Sequence, residues 1–228
     1  MHVAFPFILV WARRMVETRT DPEDLESRLS RADAGALGEV FAIHRPRLWR
    51  MVNFRLDRRM VGRIDPDDVL QEAYLAAMQR IEHYGGDGFH SPFLWLRMIV
   101  QQTLIDVHRR HLGAQARDAG REVPVFGAYP QATSASLAIQ LVGDWTSPSQ
   151  AAARVEILDQ VHAAIATMNP MDQEVLALRH FEELTNSEVA QTLGIEPKAA
   201  SIRYVRALKR LKEILSAFPG LFDGRQDG

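Results

Sequence analysis

The sequence predicts an all-α fold, two small helical domains joined by a long linker. Three observations carry this. Alternating β-branched runs hardly occur, and apolar residues recur at helical spacing through most of the 228 residues. That spacing fades over 113–150, where Ala, Gly, Ser, Pro, Gln and Thr dominate. Nearly forty residues of such composition exceed any loop expected inside one compact domain. Hydrophobic residues at 46% and charged residues at 25% exclude wholesale disorder and permit a buried core. The expected organisation is a loosely ordered N-terminal extension (1–30), a first domain (31–112), the linker (113–150), a second domain (151–217) and a tail (218–228).

The elements follow in chain order. Residues 15–30 are polar and read as a lead-in, and 1–14 read equally well as an extension ahead of a start at Met15. Leu37, Val40, Phe41, Leu48, Met51, Val52 and Leu56 recur at helical spacing, with Pro46 expected to interrupt them. Asp65-Pro66-Asp67-Asp68 is a helix start: Asp65 suits the cap, Pro66 the first position, and the carboxylates the positive end of the dipole. Leu70, Ala73, Tyr74, Ala77, Ile81 and Tyr84 form its apolar stripe. Gly85–Ser91 is a glycine-rich loop. Ser91-Pro92 opens a helix expected to run to about His111. Leu137–Val142 is apolar enough for a short docked helix within the linker. Beyond it, helices are expected from Ala151, over Met171–Glu182 after the break at Asn169-Pro170, over Thr185–Leu193 and over Pro197–Leu215.

Charge is informative only by segment. The whole chain carries −2, with a pI of about 6.5, which alone argues against a uniformly basic nucleic-acid binder. Residues 151–195 carry −5 and residues 196–212 carry +5. The sign reverses at Gly194-Ile195, inside a helix–turn–helix pattern in which Thr185 and Glu188 have capping-box spacing. An ordinary helical hairpin is the plainer alternative, but a basic second helix suits a major groove and its phosphates. Ala200, Tyr204, Leu208 and Leu211 mark its buried side. Lys198, Ser201, Ile202, Val205 and Arg206 then face outward toward base edges, with Arg203, Lys209 and Arg210 toward phosphates.

Two further signals lie in the first domain. Asp65, Asp67, Asp68 and Glu72 gather acids without bases, and Asp68, Gln71, Glu72 and Leu75 share the face opposite the apolar stripe. This reads as a docking surface for a partner, beside the plain reading of helix-dipole stabilisation and solubility. Carboxylate metal or acid–base chemistry is a remote reading, because no His joins the group. The third signal is the segment Phe89–His111, with aromatics at its start and bases at its end. Phe89, His90, Trp95, Arg97, Gln101, Gln102, Asp106, His108, Arg109 and Arg110 are its candidates for holding unstacked bases of a single strand. The plain reading makes Phe93 and Trp95 core residues, with at least one of them expected inside. His108 and His111 have ligand spacing but lack an evident third ligand, so no metal and no cofactor is expected.

Absence of cysteine excludes disulfides, Cys-ligated zinc and thiol chemistry. The dense apolar run Val3–Trp11 is far short of the ~20 residues that span a bilayer. It also lacks the flanks of a signal peptide, so a cytoplasmic protein without membrane insertion is expected.

The order of these signals resembles the extracytoplasmic-function (ECF) class of bacterial RNA polymerase sigma factors, over roughly 33–217. Asp65-Pro-Asp-Asp68-Val-Leu-Gln71-Glu72-Ala-Tyr74-Leu75 is similar to the family's acidic region-two segment. Phe93-Leu-Trp95-Leu96-Arg-Met-Ile99-Val-Gln-Gln102, followed by Asp106-Val-His-Arg109-Arg110, is similar to its next helix. Met168-Asn169-Pro170 through Leu178-Arg179, the helix–turn–helix, and Arg206-Ala207 with Leu211 are similar to its region four. The resemblance implies sigma region two at 31–112, sigma region four at 151–217, and no enzymatic activity. It implies that Asp65, Asp67, Asp68, Gln71 and Glu72 dock on the β′ clamp helices of core RNA polymerase. It implies that the Gly85–Ser91 loop and the Trp95–Arg110 helix capture the melted minus-10 strand, and that the Pro197–Leu211 helix reads the minus-35 groove of promoter DNA. The linker would thread the polymerase channel. The β flap is a further expected contact, and the family commonly adds an anti-sigma factor. The sequence departs from the family pattern in the reading helix. Ala199-Ala200 stands where Thr-Val is frequent, and Ser201 and Ile202 offer less hydrogen bonding than usual readers. The competing reading is an autonomous helix–turn–helix regulator with an N-terminal sensor or dimerisation domain.

Overall fold

The computed structural model describes residues 22–57, 60, 62–85, 91–116, 130–143 and 151–218. It divides the chain into two compact units: one takes in residues up to Val52 and Met60–Gly113, the other Asn53–Arg59 and the residues from Ala114 onward.

The first unit begins earlier than the sequence predicts. Pro22–Ser30 is a helix, α1, that buries Leu25 and Leu29, where a loose polar lead-in is expected. Its apolar positions are four apart, enough for one stripe but too few to stand out among charges. α2 (Ala34–Arg55) continues through Pro46, where the sequence predicts an interruption. Ala42, whose carbonyl loses its partner there, is exposed like Pro46 itself, so water can satisfy that group. α3 (Pro66–Arg80) starts as its sequence predicts, with Asp65 Oδ1 accepting from Asp67 N at 2.9 Å. A single 3-10 turn (Ile81–His83) follows. α4 (Pro92–Ala116) is longer than expected at its C-terminal end.

Trp95, Leu96, Ile99 and Leu104 of α4 are buried, as are Leu29, Leu37, Leu48, Met51 and Leu70. Tyr84 packs edge-on to Trp95 at 5.3 Å, and its hydroxyl donates to Glu26 at 3.4 Å. Burial and that carboxylate hold the Tyr84 hydroxyl above its ordinary pKa. The Arg47 guanidinium lies 3.6 Å over the Phe93 ring.

The second unit contains a helix in the expected linker. α5 (Pro130–Gly143) buries Leu137, Ala138 and Val142 and packs chiefly on α6 (Ala151–Ala166) and α7 (Pro170–Leu176). Thr133 donates to Glu174 at 3.2 Å, and Ser134 pairs with His162 at 3.2 Å, so its polar buried positions are also satisfied. Asn169 caps α7 through Met171 N at 2.9 Å. The helix expected over Met171–Glu182 widens into a π-turn at Ala177–Phe181, closed by Glu182 N on Ala177 O at 3.1 Å.

Buried charge sits here as well. Arg55 is buried, with its guanidinium donating to Glu182 and Glu174. Burial works against its charge, but the two carboxylates outweigh it and hold its pKa above the ordinary value. Phe54 stacks on Phe181 at 4.6 Å. α8 (Asn186–Leu193) and α9 (Pro197–Ser216) complete the unit. Among the described residues no helix is long and apolar enough to cross a membrane.

Candidate functional site

In the first unit, α3 turns one face inward through Val69, Leu70, Ala73 and Ala77. The opposite face carries Asp65, Asp67, Asp68, Gln71 and Glu72, all exposed, with Leu75 58% exposed beside them. Aliphatic surface amid carboxylates fits a protein partner better than bulk water. Two of these acids already meet bases. Asp67 pairs with Arg45 at 2.8 Å, and Glu72 pairs with Arg110 of α4. Both pairs are solvent-exposed and contribute little stability.

α4 corrects two expectations. Trp95 is 1% exposed and Arg97 3% exposed, so neither side chain can touch a nucleic acid as the unit stands. Trp95 is a core residue packed on Tyr84, and Arg97 donates to Gln101 at 3.2 Å. Phe93 is buried too. The reachable candidates lie further along: Gln101, Gln102 and His108 are half-buried, while Asp106, Arg109 and Arg110 are exposed. Asp106 pairs with Arg109 at 3.9 Å and accepts from Gln102 at 3.5 Å. Phe89 and His90 lie outside the described residues.

The second unit builds the helix–turn–helix from local bonds. Thr185 Oγ1 accepts from Glu188 N at 3.2 Å, while Glu188 Oε2 accepts from Thr185 N at 2.7 Å, so the expected capping box is formed. α8 ends at Gly194, whose φ of +63° is left-handed and suits glycine. Ile195 N then reaches Ala190 O at 3.0 Å, tightening the turn. Asn186 Nδ2 donates to Pro197 O at 2.8 Å, fastening the start of α8 to the start of α9. No periodicity in the sequence marks that last bond; only proximity across the turn reveals it.

α9 buries Ala200, Ala207, Ile214 and Leu215, with Tyr204, Leu208 and Leu211 packed at the core's edge. Lys198, Ser201, Ile202, Val205, Arg206, Lys209 and Arg210 are exposed. Arg203 differs: it is only partly exposed and sits 3.5 Å from Asp172 of α7, so it ties helices together rather than standing ready for phosphate. Arg210 pairs with Glu213 at 3.3 Å on the surface. Tyr204 bonds His180 at 2.9 Å under the Arg179 guanidinium. Burial first, and Arg179 second, hold the His180 pKa below its ordinary value. The arrangement presents donors, cations and apolar tips along one helix, which can bind a polyanion but carries no evident chemistry of bond making.

Two stretches of the chain match known families. Residues 40–112 match the family described as Sigma-70 region 2, and residues 158–211 match Sigma-70, region 4. The ECF RNA polymerase sigma factor SigD of Mycobacterium tuberculosis is 29% identical over 86% of this chain and 85% of its own. The RNA polymerase sigma factor NccH of Alcaligenes xylosoxydans xylosoxydans is 25% identical over 87% of this chain and 98% of its own. The ECF RNA polymerase sigma factor SigW of Bacillus subtilis is 22% identical over 82% of this chain and 93% of its own.

Proposed function

The chain belongs to the extracytoplasmic-function family of RNA polymerase sigma factors, and on that premise we propose how its two units divide the work. The face of α3 bearing Asp65, Asp67, Asp68, Gln71 and Glu72 docks on the β′ clamp helices of core polymerase. The C-terminal half of α4, with half-buried Gln102 and His108 and exposed Asp106, Arg109 and Arg110, meets the minus-10 strand. α9 reads the minus-35 duplex through Lys198, Ser201, Ile202, Val205 and Arg206, and Lys209 and Arg210 meet phosphates. The protein works in the cytoplasm, where its polymerase is. A contact with the β flap and a repressing partner of the anti-sigma kind belong to the same reading, carried by the resemblance alone.

One observation carries the division: the first unit has an acidic face with an apolar tip, and the second has a basic exposed helix. An autonomous regulator with a sensor domain needs only the second of these. Run-off transcription with core polymerase and no other sigma factor is the test. Defined starts on genomic fragments are expected, and Asp68→Lys should remove most of them. Background transcription throughout, with tight binding of the chain alone to duplex half-sites, would favour the autonomous regulator.

A further inference from the structure

Five large hydrophobic side chains are exposed among the described residues, and two of them, Ile202 at 49% and Val205 at 66%, sit on the basic face of α9. They are three residues apart on a helix, so their tips are neighbours. Lys198 precedes Ile202 by one turn, Arg206 follows it by one turn, and Lys209 follows Val205 by one turn. No acid occurs between Pro197 and Lys212. The apolar pair is therefore ringed by cations on the face turned away from Ala200 and Ala207.

The occupant of such a face must be a polyanion that offers apolar groups at the depth where side chains end. A protein surface complementary to the cations would bring carboxylates, but it would not account for why the apolar tips lie in the N-terminal half of the helix after the turn. Duplex DNA accounts for both. In the major groove the apolar mark carried by a base edge is the C5-methyl of thymine, while guanine, adenine and cytosine present acceptors and donors there. Isoleucine and valine are β-branched and stiff, so placing them against a methyl costs little rotamer freedom.

We propose that Ile202 and Val205 read thymine methyl groups in the minus-35 element, so that the chain selects thymine at those positions by apolar contact rather than by hydrogen bonds. The inference rests on the sigma-factor reading above and adds the base it selects. Arg206 and Ser201, beside the pair, supply the hydrogen bonds to neighbouring positions.

The test starts from run-off transcription with core polymerase on templates randomised over the minus-35 element. In the best template, each thymine is replaced singly by deoxyuridine, which removes only the methyl group. At one or two positions this replacement should lower initiation about fourfold, the effect of one buried methyl-sized group. Ile202→Ala or Val205→Ala should lower initiation on the thymine template by a similar factor, and should then be indifferent to deoxyuridine at the matched position. Both side chains are exposed, so thermal melting of the variants should equal that of the parent; the deoxyuridine arm needs no variant at all. Indifference of the parent chain to every deoxyuridine overturns the proposal and leaves the sigma reading standing. Equal loss by the variants on all templates also overturns it and assigns the pair to a protein contact. Failure to initiate from any template overturns both.

Discussion

Helices α4 and α9 carry most of the residues expected to meet nucleic acid, and they differ in how much of their surface the fold covers. Phe93, Leu94, Trp95, Leu96 and Arg97 are all buried. Consecutive residues on an α-helix point about 100° apart, so five in a row enclose that part of α4 on every side. α9 buries one stripe and leaves a basic face exposed. An aromatic beside basic residues therefore means core in one helix, whereas an isoleucine beside basic residues means surface in the other. Reach toward a ligand depends on how many neighbours cover a helix, which the helix's own sequence does not state.

The largest effect that can break this contrast comes from truncating the enclosed side chain. Trp95→Ala should cost the first unit about 3–5 kcal/mol in urea denaturation, while Val205→Ala should stay within about 0.5 kcal/mol. Similar costs for the two would mean that α4 and α9 are covered alike. Of comparable size is Arg55→Ala, which leaves the buried Glu182 carboxylate without its cation and should cost about 3–5 kcal/mol. Denaturation of Arg55→Ala beside Asp67→Ala, which breaks only an exposed pair, measures the difference between a buried and a surface ion pair.

A smaller effect sharpens the functional half of the contrast. Lys209→Ala should leave stability unchanged and reduce the slope of log affinity against log salt by about one for promoter binding by the polymerase complex. Trp95→Phe, by contrast, should leave that slope alone. The smallest effect concerns His180. Its pKa in the folded chain lies below the ordinary 6.5, so the folded state disfavours the protonated ring. The stability this contributes is fully present above pH 6.5 and is lost as pH falls through the folded value. Denaturation midpoints measured down that range should decline, and His180→Gln should flatten part of the decline; an unchanged profile in the variant would exclude His180 as the source.

Charge repeats the lesson. Residues 151–195 carry −5 by sequence, which reads as an acidic surface. In the fold, Glu182 and Asp172 are buried against Arg55 and Arg203, and Glu188 caps α8. The acids of α3 are instead all exposed. A count of carboxylates cannot separate those held inside by arginine from those offered to a partner, because the arginine that holds Glu182 lies 127 positions away in the chain.

What the sequence determined by itself was whatever short-range bonds decide. The Asp65 and Asn169 caps, the Thr185–Glu188 box and the left-handed Gly194 all close within a few residues, and each forms where the residue types require it. The helix–turn–helix and its basic second helix were legible for the same reason. Tertiary structure alone decided that α1 is a helix with a buried side, that α5 extends over Pro130–Gly143, that Pro46 does not break α2, and that Trp95 and Arg97 both lie inside. Burial is a property of the neighbours that cover a residue, and those neighbours come from distant parts of the chain. Periodicity can say which residues share a face, but only packing says whether that face meets protein or solvent.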